Sequence, residues 1–237
     1  MIDTHCHLLP GLDDGPRTVR EALQLAQMMV ADGISSVLCT PHYSRQFPTH
    51  HAAALESHEV LRSGLTAAGI ALETAVAAEV SPGYAVSAPI EEIELRSVGG
   101  RFVVVEVLPD SAVVLFPTVV ERLASRGLVP VFAHPERSRA VHRDLSAVDD
   151  ARLAGALIQV LAPSVLGRWG ADVASAALDL LDTGLVDLLG SDAHGAKRRR
   201  VHLAEAAELV ERRLGSTVVR ELTEHAPRRV LAGAGVH

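Results

Sequence analysis

The sequence is poor in cysteine and in aromatic residues, and each shortage excludes a class of protein. Two cysteines among 237 residues, Cys6 and Cys39, are too few for a disulfide framework. Aromatic residues make up 3% of the chain, so a surface that stacks nucleic-acid bases or sugars is not expected. A net charge of −7 also disfavours nucleic acid as the main partner.

Long apolar runs are also missing, and no secretory leader is expected. No apolar run reaches the ~18 residues that a membrane-spanning helix needs, and the first residues do not have the pattern of a secretory signal. We therefore expect a cytoplasmic protein. Hydrophobic residues, in contrast, make up 48% of the chain, enough to bury a sizeable core. We expect residues 1–237 to form one domain.

Short β-branched runs alternate with segments of helical periodicity along the chain, which is typical of βα units around a mainly parallel sheet. Seven such units predict an α/β fold with a barrel-like closure, one unit short of the eightfold form. The predicted strands span residues 1–7, 34–40, 71–79, 101–107, 128–134, 156–162 and 186–192. The predicted helices span residues 17–32, 49–68, 112–126, 146–154, 171–183, 199–214 and 216–232.

Histidines and carboxylates follow the C-terminal ends of the predicted strands, where a parallel barrel carries its chemistry. His5 and His7 alternate along the first strand, so both imidazoles lie on one face. Glu79 and Glu106 each follow an apolar run, where an unpaired carboxylate is unfavourable. The sixth strand ends without a charged group. The candidates at this rim are His5, His7, Asp14, His42, Glu79, Glu106, His134, Asp192 and His194.

Each of these residues has an ordinary explanation by itself, such as a solvated histidine or a carboxylate paired with a distant arginine. Together, however, four carboxylates at one rim would repel each other, and divalent cations remove that repulsion. Nine ligands are too many for one zinc ion, whereas three divalent ions would change the charge of the set from −4 to +2, which suits a phosphate dianion. A nitrogen and oxygen set without thiolate fits manganese, iron or zinc.

The segment CTPHYSR, residues 39–45, allows two interpretations. Cys39 and Arg45 have the C-x5-R spacing of cysteine-based phosphatases, whose phosphate loop needs inward-pointing backbone N–H groups. The segment contains no glycine, however, and Pro41 has no N–H to donate. We therefore expect Cys39 to be a packing residue and His42 to carry the chemistry.

Several segments follow one another in the order found in a known superfamily. They are MIDTHCHLLPGLDDGP, TPH, GRFVVVEV, FAHPER, VLGRWG and GSDAH. Over nearly the whole chain they resemble the polymerase-and-histidinol-phosphatase (PHP) superfamily, and within it the bacterial tyrosine-protein phosphatases encoded beside capsule and exopolysaccharide genes. The resemblance implies a distorted (β/α)7 barrel with its active site at the C-terminal strand ends. It also implies three metal ions, with manganese expected first and iron or zinc as the other options.

The resemblance further implies how the ligands are shared, with Glu79 bridging two of the ions. The implied sets are His5, His7, Glu79 and Asp192 for one ion, Glu79, Glu106 and His134 for the second, and Asp14, His42 and His194 for the third.

Two arginines, Arg137 and Arg199, match the phosphate-binding positions of these relatives, with Arg198 and Arg200 as alternatives to Arg199. The expected reaction is hydrolysis of a phosphate monoester by a hydroxide that bridges two metals, without a covalent phosphoenzyme. The substrate that the resemblance implies is the phosphotyrosine-bearing tail of a membrane tyrosine autokinase of polysaccharide export.

Other functions fit the same residues. A small-molecule phosphatase of the histidinol-phosphatase type would differ only in the loops that contact substrate, and two segments near the mouth, VLPDSAVVLF and QVLAPS, depart from the family's pattern. A nuclease is disfavoured by the acidic charge and the few aromatic residues. A metal-bound regulatory module without turnover is the non-enzymatic alternative, and the nine intact ligands argue against it.

Overall fold

All seven predicted strands are present in the computed structural model, which describes residues 1–109 and 113–236. Most are shorter than predicted by one or two residues at each end, and the second and third are each divided into two pieces. The strands are β1 (Ile2–Cys6), β2 (Ser36–Cys39), β3 (His42–Tyr43), β4 (Glu73–Val76), β5 (Glu79–Val80), β6 (Phe102–Glu106), β7 (Val129–Ala133), β8 (Leu157–Leu161) and β9 (Leu188–Gly190).

Pro41 divides β2 from β3 because it has no N–H to contribute to the sheet. Its carbonyl still accepts a hydrogen bond from the N–H of Glu79 at 3.1 Å. The register therefore resumes immediately beyond the break, and His42 pairs with Glu79 across β3 and β5. Pro41 therefore interrupts the strand, but the side chains of His42 and Glu79 still lie next to each other on the paired strands β3 and β5.

The strands form two parallel sheets, β1-β2-β4 and β3-β5-β6-β7-β8-β9. Since β3 continues β2 and β5 continues β4, the two sheets arrange seven chain segments in order. The last segment meets the first, because the N–H of Asp192 donates to the carbonyl of His5 at 2.8 Å and that of His7 donates to Ala193 at 2.9 Å. The fold is α/β with parallel strands that end at one rim, as predicted, and these contacts bring its last segment against its first in the manner of a distorted barrel.

The helices also follow the prediction, with differences at their ends. The helix predicted for 199–214 begins only at Leu203, because Arg199 has a positive φ of 49°, which a right-handed helix does not accept. A π-helical turn, Glu221–His225, interrupts the helix predicted for 216–232. The first residue of the helix predicted for 112–126 lies outside the described residues, as do 110–112 of the VLPDSAVVLF segment.

Short helices at 82–87, 90–94 and 162–165 were not predicted, and neither was the 3-10 turn Pro135–Arg137. The α-helices are α1 (Val19–Ala31), α2 (His51–Ala67), α3 (Pro82–Ser87), α4 (Ile90–Glu94), α5 (Phe116–Ala124), α6 (Ser146–Leu153), α7 (Ala162–Val165), α8 (Ala171–Asp182), α9 (Leu203–Leu214), α10 (Ser216–Arg220) and α11 (Ala226–Leu231).

The core lies between the strands and the surrounding helices. Strand β6 reads FVVVE, and its first four residues are at most 1% exposed, since strands of a parallel barrel are covered on both faces. Between the sheet and the helices, Phe116 of α5 stacks on Phe132 of β7 with ring centroids 4.0 Å apart. Among the described helices, none has both the length and the apolar composition that crossing a membrane requires.

Candidate metal centre

The nine rim residues predicted from the sequence converge at the C-terminal ends of the strands. Their nitrogen and oxygen atoms form four overlapping groups, and within each group these atoms lie within 4.8 Å of one another. The groups are His7, Asp14, His42 and His194; His5, Glu79 and His134; His5, His7 and Asp192; and His42, Glu79 and Glu106.

Glu79 lies at the middle of this arrangement and is 1% exposed. One carboxylate oxygen is 2.8 Å from Nε2 of His134, and the other is 3.0 Å from Nδ1 of His42 and 3.4 Å from Nε2 of His7. Burial opposes ionisation, but the charge of His5 and the hydrogen bond from His134 hold the pKa of Glu79 well below its usual range. The side chain is therefore a carboxylate that faces imidazoles on several sides.

Three buried polar atoms of the cluster have no hydrogen-bond partner within the described residues: Nε2 of His5, Nε2 of His7 and Oδ1 of Asp192. The two nitrogens are 3.6 and 3.5 Å from that oxygen. Buried polar atoms without partners are unfavourable, and a divalent cation is the partner that imidazole nitrogen and carboxylate oxygen share. The residues present therefore fit metal binding.

Two residues that the sequence analysis missed orient the first histidine pair. Oδ2 of Asp13 is 2.7 Å from Nδ1 of His7, and Oε1 of Gln159 is 2.7 Å from Nδ1 of His5. Because each ring meets its acceptor through Nδ1, Nε2 is directed at the cluster, as in many metal sites. Gln159 is the one polar residue of the buried strand LIQVL, and this was the signal available in the sequence.

Burial and neighbouring charges shift the pKa values of the cluster residues in different directions. Burial and the nearby Glu79 carboxylate raise the pKa of Glu106 to about 7. Burial lowers the pKa of His134 and of His194, which favours neutral imidazole. At His7 burial is outweighed by the hydrogen bond and charge of Asp13, and the pKa is raised well above its usual value. Protons therefore compete with metal at some of these ligands.

Of the three consecutive arginines at 198–200, Arg199 faces the cluster. Its guanidinium donates to Asp192, lies 3.4 Å from Oδ2 of Asp14 and is 2.7 Å from Nε2 of His194. These are atoms that a metal ion would also use, so the guanidinium and a metal compete for them. The contacts place a permanent positive charge at the edge of the centre.

Arg137 approaches from the 3-10 turn that follows β7, with Nη1 3.9 Å from Oδ2 of Asp192. The guanidinium groups of Arg137 and Arg199 lie 4.8 and 5.8 Å from the ring centroid of Trp169, within cation–π range. The indole therefore contacts both arginines beside the cluster. Trp169 is the tryptophan of the VLGRWG motif, and the motif by itself indicates no role for it.

The structure distinguishes the two interpretations of CTPHYSR. Cys39 is fully buried in the hydrophobic core, so the prediction that it is a packing residue is confirmed. The His42 side chain is 13% exposed and faces the cluster. Tyr43 packs under Arg96, whose guanidinium carbon is 3.8 Å from its ring centroid, and meets the edge of Tyr84. Tyr43 therefore packs against Arg96 and Tyr84 next to His42.

The family model described as capsular polysaccharide synthesis, CpsB/CapC, matches residues 1–232. The chain belongs to the CpsB/CapC family. It is similar to the tyrosine-protein phosphatase YwqE of Bacillus subtilis (strain 168), with 29% identity over 228 residues that cover 95% of this chain and 90% of YwqE. It is also similar to the tyrosine-protein phosphatase CpsB of Streptococcus pneumoniae, with 23% identity over 241 residues and 98% of each chain covered.

Among solved structures, the chain is similar to one of the crystal structures of YwqE from Bacillus subtilis and CpsB from Streptococcus pneumoniae. These two proteins are described as metal-dependent tyrosine phosphatases. The TM-score is 0.90 with 27% identity, and the match covers 100% of this chain and 96% of that chain. A β-aspartyl dipeptidase of Fervidobacterium islandicum AW-1 matches with a TM-score of 0.59 and 15% identity, over 97% of this chain and 72% of that one. This second likeness concerns the fold alone. The resemblance recognised in the sequence is thus confirmed.

Proposed function

We propose that this member of the CpsB/CapC family is a metal-dependent protein-tyrosine phosphatase formed by one domain, residues 1–237. The observation that carries the proposal is the convergence of nine nitrogen and oxygen ligands, Glu79 among them, with buried atoms that lack partners among the described residues. Support also comes from the relatives, which are named tyrosine-protein phosphatases and match over nearly their whole length.

Three divalent ions, with manganese expected first, are the proposed cofactors. When bound, they supply an activated water at neutral pH and draw charge from the phosphoryl oxygens. The proposed ligand sets are those implied by the family resemblance, and the observed groups support the sharing of Glu79 between two of them. The sets are His5, His7, Glu79 and Asp192; Glu79, Glu106 and His134; and Asp14, His42 and His194.

Arg137 and Arg199 bind the phosphoryl group in this proposal. A guanidinium presents a planar fork of N–H donors that matches two phosphoryl oxygens, and its contacts with Asp192 place each fork beside the cluster. Because arginine stays protonated at any physiological pH, these residues stabilise charge and do not act as acids. Their contacts with Trp169 hold both forks at the same side of the centre.

Tyrosine is a good leaving group for such a site. Its phenol has a pKa of about 10, so departure as phenolate needs less help from an acid than departure of an alkoxide. The proposed physiological substrate is the phosphotyrosine-bearing tail of a membrane tyrosine autokinase, and membership of a capsular polysaccharide synthesis family supports this.

The test compares phosphotyrosine peptides with histidinol phosphate in the presence of Mn²⁺, with and without a chelator. We expect peptide hydrolysis that the chelator abolishes. His42→Ala should lose activity. Cys39→Ser should keep it, because this buried thiol takes no part in the proposed reaction. Faster turnover of histidinol phosphate than of any peptide would favour the small-molecule alternative, and an inactive Cys39→Ser with an active His42→Ala would refute the metal mechanism.

A further inference from the structure

A groove with a volume of about 730 Å³ opens beside the metal centre, between the segments 13–24 and 194–199. At its inner end are Asp14 and His194, two of the proposed metal ligands, together with Arg199. The groove therefore begins where the phosphoryl group is expected to bind and leads outward over the surface. Its outer wall carries four cationic side chains: Arg17, Arg20, Lys197 and Arg198.

These four cations are exposed, and none forms an ion pair with a carboxylate in the part of the chain that the structure describes. The acidic residues of the lining are Asp13, Asp14 and Glu21. Asp13 is paired with His7, Asp14 lies at the metal centre, and the carboxylate of Glu21 accepts the backbone N–H of Arg17 at 2.8 Å. The wall thus has an excess of positive charge in a protein whose net charge is −7. Like charges that share a groove repel, and an anionic ligand removes that repulsion.

The location of the groove determines which anion it can select. A peptide whose phosphotyrosine reaches the centre through this groove would have its neighbouring residues between two cationic pairs, Arg17 with Arg20 and Lys197 with Arg198. Carboxylates at those neighbouring positions would meet the unpaired cations. Among the residues that the structure describes, no Phe, Tyr or Trp side chain lines the groove, so the base stacking that a single-stranded nucleic acid uses with these residues is not offered there.

We propose that this groove binds acidic residues next to the phosphotyrosine of a peptide substrate, so that the enzyme selects acidic phosphotyrosine peptides. The proposal rests on the proposed function, since it concerns the surroundings of the same centre. Part of the selectivity for peptide substrates then comes from exposed charges outside the metal ligands. These charges contribute to peptide binding and not to the chemical step.

The test measures kcat/KM for three substrates: a phosphotyrosine peptide flanked by Asp and Glu, the same peptide with Asn and Gln, and p-nitrophenyl phosphate. The wild type should prefer the acidic peptide, and the preference should fall as salt is raised. Arg17→Glu with Arg20→Glu should lower kcat/KM for the acidic peptide about tenfold, from several exposed charge pairs acting together. Hydrolysis of p-nitrophenyl phosphate should not change.

A matched control reverses two exposed arginines away from the groove, Arg220→Glu with Arg228→Glu, which make the same change in net charge. Equal turnover of the acidic and neutral peptides by the wild type would overturn the proposal, as would an equal loss in the control variant. So would a single-stranded oligonucleotide that competes more strongly than the acidic peptide.

Binding of a fluorescein-labelled acidic phosphotyrosine peptide, followed by fluorescence polarisation, tests the groove independently of turnover. Weaker binding by the Arg17→Glu, Arg20→Glu variant than by the Arg220→Glu, Arg228→Glu control supports the groove even if no substrate is hydrolysed. Equal binding by the two variants overturns it. Failure of all three substrates under metal would instead overturn the proposed phosphatase function.

Discussion

Replacing Gln159 by methionine should weaken metal binding without touching any proposed ligand. Oε1 of Gln159 lies 2.7 Å from Nδ1 of His5, and its Nε2 donates to Oγ1 of Thr4 at 2.7 Å. Methionine has a similar length but accepts and donates no comparable hydrogen bond. The imidazole of His5 then loses the partner that fixes its tautomer and directs Nε2 toward Glu79.

The expected size of this effect follows from the burial of the pair, since Gln159 and His5 are both fully buried. Loss of such a supporting partner usually lowers metal affinity about 10- to 100-fold, which corresponds to about 1.4–2.7 kcal/mol at 25 °C. The free energy of unfolding without added metal should also fall by about 1–3 kcal/mol, because a buried N–H loses its acceptor. Gln159→Glu keeps an acceptor for His5 and is the matched control.

Isothermal titration calorimetry with Mn²⁺ measures the affinity, and thermal unfolding with and without Mn²⁺ measures the linked stability. We expect the methionine variant to show the weaker binding and the smaller stabilisation by metal, and the glutamate variant to stay close to the wild type. A folded methionine variant that binds Mn²⁺ as tightly as the wild type would refute the role assigned to Gln159.

Three further predictions concern the centre and the core. The pKa of Glu106 is raised to about 7, and a metal ion binds only the ionised carboxylate. Binding of Mn²⁺ at pH 7 should therefore release protons, and the affinity should fall as the pH is lowered. Calorimetry in buffers of different ionisation enthalpy measures this release, and finding none would contradict the prediction. Gly190→Ala should weaken Mn²⁺ binding, because its Cβ would lie 3.0 Å from Cβ of His5, whereas Gly83→Ala, with open space around it, should not. Phe132→Ala should lower the free energy of unfolding by about 3–5 kcal/mol in denaturant titrations, and a loss below about 1 kcal/mol would show that the core is not packed there as described.

Much of the fold and of the candidate site could be predicted because the signals are local. Alternation of apolar runs and helical segments located all seven strands, to within a few residues. The position of a polar residue immediately after such a run identified Glu79, Glu106 and His134, since strands of a parallel barrel end at one rim. The spacing of His5 and His7 further predicted that both rings lie on one side at the end of β1.

Other features depend on contacts between distant parts of the chain. Asp13 and Gln159 orient His7 and His5 only because the loop after β1 and strand β8 are brought against the same rim. Nothing in three consecutive arginines distinguishes Arg199, whose backbone has a positive φ and whose guanidinium donates to Asp192. Local periodicity therefore determined which residues could meet at the centre, whereas the packing of segments far apart in sequence decided which of them are oriented, supported and charged there.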